Sequence, residues 1–195
     1  MKETIEYYNK NSLEFYQNTK DVKMDQLYNF FLKYLPQNAK ILDLGCGSGR
    51  DTKYFLENGY DVVAVDGSIE MVKLSTELTG KETLHMTFQQ LDFQNEFNGV
   101  WACASLLHVP RGEMEGVLFK ISRGLKEKGV LFASFKYGDK EEFRNGRFFN
   151  YYDEGSFRQL IDKIPYFTIL ETLITSDVRE GREGEKWFSV ILEKN

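Results

Sequence analysis

Ile41-Leu42-Asp43-Leu44-Gly45-Cys46-Gly47-Ser48-Gly49-Arg50 is the stretch that decides the fold. An apolar, strand-like run passes directly into three glycines at alternate positions, and a helix-like stretch follows. Lacking a Cβ, glycine accepts positive φ and lets a ligand lie against the main chain. Gly45, Gly47 and Gly49 therefore suit a tight strand-to-helix turn that cradles a nucleoside. A second apolar strand, Asp61-Val62-Val63-Ala64-Val65, ends at Asp66, about where such folds set an acid on ribose hydroxyls. The spacing is D-x-G-x-G-x-G, not the G-x-G-x-x-G that brings a helix N-terminus to a pyrophosphate. Asp43 would repel a pyrophosphate and attract an ammonium group. The expected ligand thus combines a ribose, an adenine and a cationic amino-acid tail.

The rest of the chain sets the frame for that turn. Its 195 residues suffice for one domain with a full core, and alternating strand-like and helix-like segments predict a layered α/β domain with a mostly parallel sheet. No run approaches the roughly 18 apolar residues of a membrane span, and no basic-then-apolar leader opens the chain, so a soluble cytoplasmic protein is expected. Cys46 and Cys103 lack metal-like spacing and read as free buried thiols. Acids outnumber bases, 30 to 25, which argues against a duplex nucleic-acid footprint.

Two helices are predicted first, over residues 3–17 and 21–34, the second with Met24, Leu27, Phe30, Phe31 and Leu35 at helical spacing. Strands are expected over 39–44, 61–65, 84–91, 99–104 and 130–136. Helices are expected over 50–58, 69–78 and 113–125, with Gly59 stopping the first of these and Ser68 capping the second. Residues 137–152 show no regular pattern, being rich in charge, glycine and aromatics; loops longer than about a dozen residues are more often functional than idle. Asp153 caps a helix over 154–163. A closing pair of strands, 167–174 and 186–193, flanks a polar turn with Asp177, Arg179, Gly181, Arg182 and Gly184.

The D-x-G-x-G-x-G turn with its downstream acid resembles the class I S-adenosylmethionine-dependent methyltransferases over most of the chain's length. The resemblance implies a Rossmann-like, doubly wound sheet of about seven strands in the order 3-2-1-4-5-7-6, with the last strand antiparallel. It also implies a single domain over 1–195, with residues 1–37 as a helical lid and 38–195 as the core. The cofactor would be S-adenosylmethionine and the product S-adenosylhomocysteine. Asp43, Gly45, Cys46, Gly47 and Gly49 would face its amino-acid tail. Asp66 would accept both ribose hydroxyls, and Gly67, Ser68 and Met71 would line the adenine and ribose pocket. Asp92 and Phe93 match the position that holds the adenine amino group, and Ala104 and Ser105 lie at the strand-four exit beside the transferable methyl. Asn98 stands where the family usually has an acid before Gly99. The Gly-Ser-Gly-Arg-Asp turn and the Gly-Tyr-Asp-Val before Asp66 are similar to the tellurite and thiopurine methyltransferase groups.

Acceptor residues follow from the same placement. In the family the N-terminal section lies over the cofactor, which makes Tyr7, Tyr8 and Tyr16 candidates for contacts there. Leu106 and His108 follow strand four, and a neutral imidazole at His108 could accept a proton near pH 7 as general base. Lys136, Arg147 and Tyr151, with Arg144 and the aromatics from Phe148 to Tyr152, lie on the edge where α/β folds bind ligands. The bases would pair with an anionic group and the aromatics would enclose an apolar body, with Asp177 and Trp187 at the border. The strand-four exit lacks the [DN]-P-P-[YF] sequence of amino-methylating nucleic-acid enzymes. No carboxylate cluster suggests a divalent ion, so no metal is expected. The reading is methyl transfer by in-line displacement to a nucleophile on a small-molecule acceptor, by a monomer or homodimer, with no membrane partner. Two alternatives are a methyltransferase acting on RNA or protein and a non-catalytic S-adenosylmethionine-binding module.

Overall fold

The computed structural model describes residues 2–177, 181–182 and 184–195. The chain runs α1 (Lys2–Thr19), α2 (Asp25–Leu32), β1 (Lys40–Leu44), α3 (Arg50–Glu57), β2 (Asp61–Asp66), α4 (Ile69–Thr79), β3 (Thr83–His85) and β4 (Phe97–Ala102). It continues through α5 (Arg111–Gly124), β5 (Leu125–Lys136), β6 (Glu141–Arg144), β7 (Arg147–Asn150), α6 (Glu154–Ile161), β8 (Phe167–Ser176) and β9 (Lys186–Lys194).

Seven strands form one sheet in the order β3-β2-β1-β4-β5-β9-β8. With the separate β6-β7 ribbon set aside, this is the 3-2-1-4-5-7-6 order that the resemblance implies. β1 to β5 are parallel, and β9 runs antiparallel to both β5 and β8. Strand order reverses between β1 and β4, whose carboxyl ends open the crevice where such sheets take ligands.

Period-two alternation sorts the strand side chains onto two faces. Leu131, Ala133 and Phe135 of β5 join the core under α5 and α6, with Leu118, Ile121, Phe157 and Ile161. Val130 and Phe132 join the opposite core under α2 and α3, with Phe31 and Phe55. There the Trp101 ring stacks on Phe132 at a centroid distance of 4.1 Å. Each such fully buried side chain contributes about 1.5–3 kcal/mol, so both helical layers are held firmly to the sheet.

Three expectations shift. The second helix starts at Asp25, not at residue 21, and packs into the Trp101 core, while α1 lies across the crevice and α2 reaches it only through Gln26 and Leu27. The third strand stops at His85, because Thr87 and Gln90 form a capping box that turns Phe88–Gln90 into one 3-10 turn. Residues 137–152 are not irregular: β6 and β7 pair in register from Glu141↔Asn150 to Arg144↔Arg147. Asn145 (φ 51°) and Gly146 (φ 76°) supply the two positive φ values of a tight hairpin turn. Among the described residues no helix is long and apolar enough to cross a membrane. No group of three or more His, Cys, Asp or Glu among them is placed to hold a metal ion.

Candidate functional site

The glycine turn is shaped by how closely its neighbours approach. Gly45 has φ 75°, and a Cβ there would sit 2.5 Å from Cβ of Ser105. At Gly49 (φ 89°) it would sit 2.7 Å from Oγ and 2.9 Å from Cα of Ser75. The amides of Gly45 and Cys46 donate to the Val65 carbonyl at 2.9 and 3.0 Å, fastening the turn to the end of β2. Ser105 Oγ donates to the Leu44 carbonyl at 2.5 Å and fastens it to the loop after β4.

Asp66 closes the turn from the other side. Its Oδ2 accepts the Gly47 amide at 2.9 Å and its Oδ1 accepts the Ser68 amide at 2.8 Å. A carboxylate oxygen has two lone pairs, so each oxygen keeps one for a ligand. Burial pushes the Asp66 pKa up, while the two amides favour the charged form. Ser68 also caps α4 by accepting from the Met71 amide, which fixes the path of the chain around the acid.

Turn and acid line one side of a cavity of about 280 Å³. Gly67, Ser68 and Met71 continue that wall, Met86, Thr87 and Phe88 form its end, and Ile5, Tyr8 and Phe15 of α1 lie across it. The exit of β4 forms the floor through Cys103, Ala104, Ser105, Leu107 and His108. Ala104 holds φ 52° there, with its amide bound to Ser134 Oγ at 2.8 Å. A non-glycine residue in that conformation carries strain, a feature that clusters at functional sites.

At the far end α1 meets the β6-β7 ribbon. His108 Nδ1 lies 2.6 Å from the Phe148 carbonyl, which can only accept, so the proton resides on Nδ1. Nε2 then accepts from the Tyr8 hydroxyl at 3.0 Å. Burial lowers the His108 pKa to about 4, so the ring is neutral near pH 7. Arg147 lies beside this pair with its guanidinium 4.3 Å from the Tyr7 ring centroid, 5.8 Å from that of Tyr8 and 5.2 Å from that of Phe149. Its Nε is buried and has no hydrogen-bond partner among the described residues, a situation that costs about 1–3 kcal/mol until something accepts from it. Lys136, buried beneath, pairs with Glu185 and lies 4.9 Å from the Trp187 ring centroid.

The comparisons with known proteins converge on one family. A family model described as a methyltransferase domain matches residues 41–129, the span from β1 through the glycine turn to the start of β5. The putative methyltransferase YqeM of Bacillus subtilis is 28% identical over 126 residues, covering 59% of this chain and 51% of that protein. These matches support a likeness to the class I S-adenosylmethionine-dependent methyltransferases, carried by residues 41–129. Two solved structures of low identity show the shared fold. The 1,6-didemethyltoxoflavin-N1-methyltransferase of Burkholderia thailandensis, crystallised with 1,6-didemethyltoxoflavin and S-adenosylhomocysteine, superposes with a TM-score of 0.79 at 22% identity, over 98% of this chain and 85% of that one. A TehB-like S-adenosylmethionine-dependent methyltransferase of Corynebacterium glutamicum gives a TM-score of 0.72 at 17% identity, over 97% and 99%. The matched stretches span about half the length of most of the curated relatives.

Within this methyltransferase fold the residues singled out from sequence divide. Gly45, Cys46, Gly47, Asp66, Gly67, Ser68, Met71, Ala104 and Ser105 line the cavity together, as do Tyr8, His108, Lys136 and Arg147. Asp43 and Gly49 lie beneath the turn and do not line it. The Asp43 carboxyl is buried, accepts from Thr52 Oγ1 at 2.6 Å, and has its pKa pushed up by burial. Asp92 is exposed, with one oxygen 4.0 Å from Arg123 Nη1. Phe93 packs edge-on against Phe97 at 5.0 Å. Leu106 is fully buried in the core and Leu107 takes the place expected for it. Tyr151 donates its hydroxyl to Glu142 at 2.5 Å, outside the cavity. Tyr16 borders a separate shallow depression with Lys20 and Lys53. Arg179 lies outside the described residues.

Several lining residues carried no weight in the sequence reading. Thr87 and Phe88 line the cavity whereas Asp92 and Phe93 do not, and Thr87-x-x-Gln90 is the capping-box pattern that marks the chain's departure from β3. Arg50 and Asp51, directly after the glycines, form an ion pair at 2.6 Å on the cavity edge. Ile5 and Phe15 left no local signal, since an apolar helix face reads as core until its partner is known.

Proposed function

We propose that this protein transfers a methyl group from S-adenosylmethionine to a small-molecule acceptor by in-line displacement. The observation that carries the reading is the meeting of the glycine turn, the free lone pairs of Asp66 and the β4 exit around one cavity at the switch point of the sheet. The residues fit the cofactor: Gly45, Gly47 and Gly67 present bare backbone to the cavity, and Asp66 offers two carboxylate oxygens that each keep a lone pair. When bound, S-adenosylmethionine supplies an electrophilic methyl on a sulfonium whose leaving thioether is neutral. The protein's share is alignment: α1 covers the cavity, the β4 exit sets its floor, and Tyr8 with His108 fixes the far wall, so that proximity supplies most of the acceleration. His108, neutral and already accepting from Tyr8, is a positioning group first; an acceptor proton would pass through the Tyr8 hydroxyl.

Calorimetric titration with S-adenosylmethionine, S-adenosylhomocysteine and NAD tests this, on wild type and Asp66→Ala. Micromolar binding of the two sulfur compounds is expected, with none for NAD and loss in the variant. Binding of NAD in their place, or of neither sulfur compound, would refute it.

A further inference from the structure

We propose that the methyl acceptor is a small carboxylate and that Arg147 binds its anionic group. This rests on the methyl-transfer reading above and narrows it to a substrate class. Several cations line the cavity, and three of them are matched by carboxylates. Arg50 pairs with Asp51, Lys136 with Glu185, and Arg144 Nε approaches Glu142 at 3.9 Å. Arg147 has no carboxylate partner among the described residues, and its surroundings are the rings of Tyr7, Tyr8 and Phe149. Aromatic faces steady a guanidinium without occupying its in-plane donors, and the Tyr8 hydroxyl takes one of them. Another donor, Nε, is shut off from water and has no partner among the described residues.

The shape of that vacancy selects the ligand. A guanidinium offers parallel N–H bonds in one plane, the geometry that a carboxylate accepts in bidentate fashion. A phosphate would call for further donors, and the nearby amide of Phe148 is already spent on Thr4 Oγ1 at 3.1 Å. A neutral amide presents one acceptor and one misplaced donor to the same fork. The cavity of about 280 Å³ must also hold the cofactor, which keeps the acceptor small. The cofactor's own carboxylate has another cation to meet, since Lys23 also lines the cavity. Arg147 instead opens β7, beside the Tyr8–His108 pair.

The test uses the S-adenosylhomocysteine-loaded protein, titrated with benzoate and hexanoate, their primary amides, and inorganic phosphate, followed by calorimetry and ligand-observed NMR. Wild type is expected to bind at least one acid about tenfold tighter than its amide. Arg147→Met should erase that preference and Arg147→Lys should keep part of it. S-adenosylhomocysteine affinity should change by less than about twofold in both, which also reports that the variants fold. Equal binding of acids and amides, a preference that survives Arg147→Met, or stronger binding of phosphate than of either acid overturns the proposal. So does a parallel loss of S-adenosylhomocysteine affinity, which would assign Arg147 to the cofactor. Failure of wild type to bind S-adenosylhomocysteine at all is a different result, and removes the methyl-transfer reading itself.

Discussion

Tyr8 in the first helix and His108 after the fourth strand meet at 3.0 Å, Oη to Nε2, across a hundred positions of sequence. With Nδ1 committed to the Phe148 carbonyl, the imidazole links α1, the β4 exit and β7 through two hydrogen bonds, and the one that Nε2 accepts from Tyr8 requires it neutral.

That requirement has a pH signature. Burial holds the His108 pKa at about 4, whereas the unfolded chain takes up the proton near 6.5. Between those values the unfolded state binds more protons, so stability is complete above about pH 7 and falls as pH drops toward 4, by on the order of 3 kcal/mol. Urea denaturation at pH 7.5 and 4.5 should show His108→Gln losing much of the decline seen in wild type. Identical declines would mean that His108 titrates normally. Methyl transfer, once an acceptor is in hand, should show no inflection from His108 between pH 6 and 8.

Gly45→Ala should be among the most damaging single methyl additions in the chain. The residue would need positive φ and would press its Cβ to 2.5 Å from that of Ser105, a combined cost of roughly 2–4 kcal/mol. The double variant Gly45→Ala/Ser105→Gly removes the collision and keeps the backbone strain, so it should recover part of the stability in thermal denaturation. No recovery would show that φ alone dictates glycine there.

Much of the fold was legible because its signals are local. Gly45, Gly47 and Gly49 mark a backbone conformation that few other residues adopt, and Asp66 ends a strand whose apolar run is unmistakable. The capping residues Ser68 and Asp153 were readable for the same reason: each satisfies amides a few positions away. The errors came where partners are distant. Leu84 to Leu91 is apolar enough for a strand, and the Thr87–Gln90 box that ends it outweighs that pattern. Asn145-Gly146 was a hairpin signal within a stretch whose charges masked the alternation of Phe143, Phe148 and Phe149. Within the site, Tyr8, His108 and Arg147 line one cavity, but their mutual contacts depend on how α1 crosses β7. No spacing within either element specifies that crossing.

Asp51 is a structural centre that the sequence did not advertise. Its carboxylate receives Tyr28 Oη at 2.7 Å, Trp101 Nε1 at 2.8 Å and Arg50 Nε at 2.6 Å, all within the core beside the glycine turn. Burial pushes its pKa up, but Arg50 and the donated hydrogen bonds hold it below the usual range. Its stabilising contribution is therefore present above the ordinary carboxylate range and lost as pH falls from there through the lowered native value. Asp51→Ala leaves Arg50 and two buried donors without a partner, and should destabilise by about 3–5 kcal/mol. Chemical denaturation of the variant measures this directly, and a loss under about 1 kcal/mol would mean that water replaces the carboxylate.

The β6-β7 turn should control the N-terminal helix from a distance. Gly146 has φ 76°, and a Cβ on it would lie 3.1 Å from Cδ2 of Tyr7, on the helix that carries Tyr8. Gly146→Val pays for positive φ with a β-branched side chain and drives that side chain into Tyr7, at a cost of about 2 kcal/mol. Asn145→Gly changes the adjacent residue (φ 51°) to one that prefers the same conformation, and should leave stability nearly unchanged. Amide hydrogen exchange over Thr4 to Tyr8 distinguishes local from remote effects. Faster exchange there in Gly146→Val, with α5 and α6 unaltered, is the expected outcome, because the ribbon and α1 share a contact that the central sheet does not. Uniform acceleration across the protein would instead mean that the turn stabilises the whole domain and has no particular hold on the helix over the cavity.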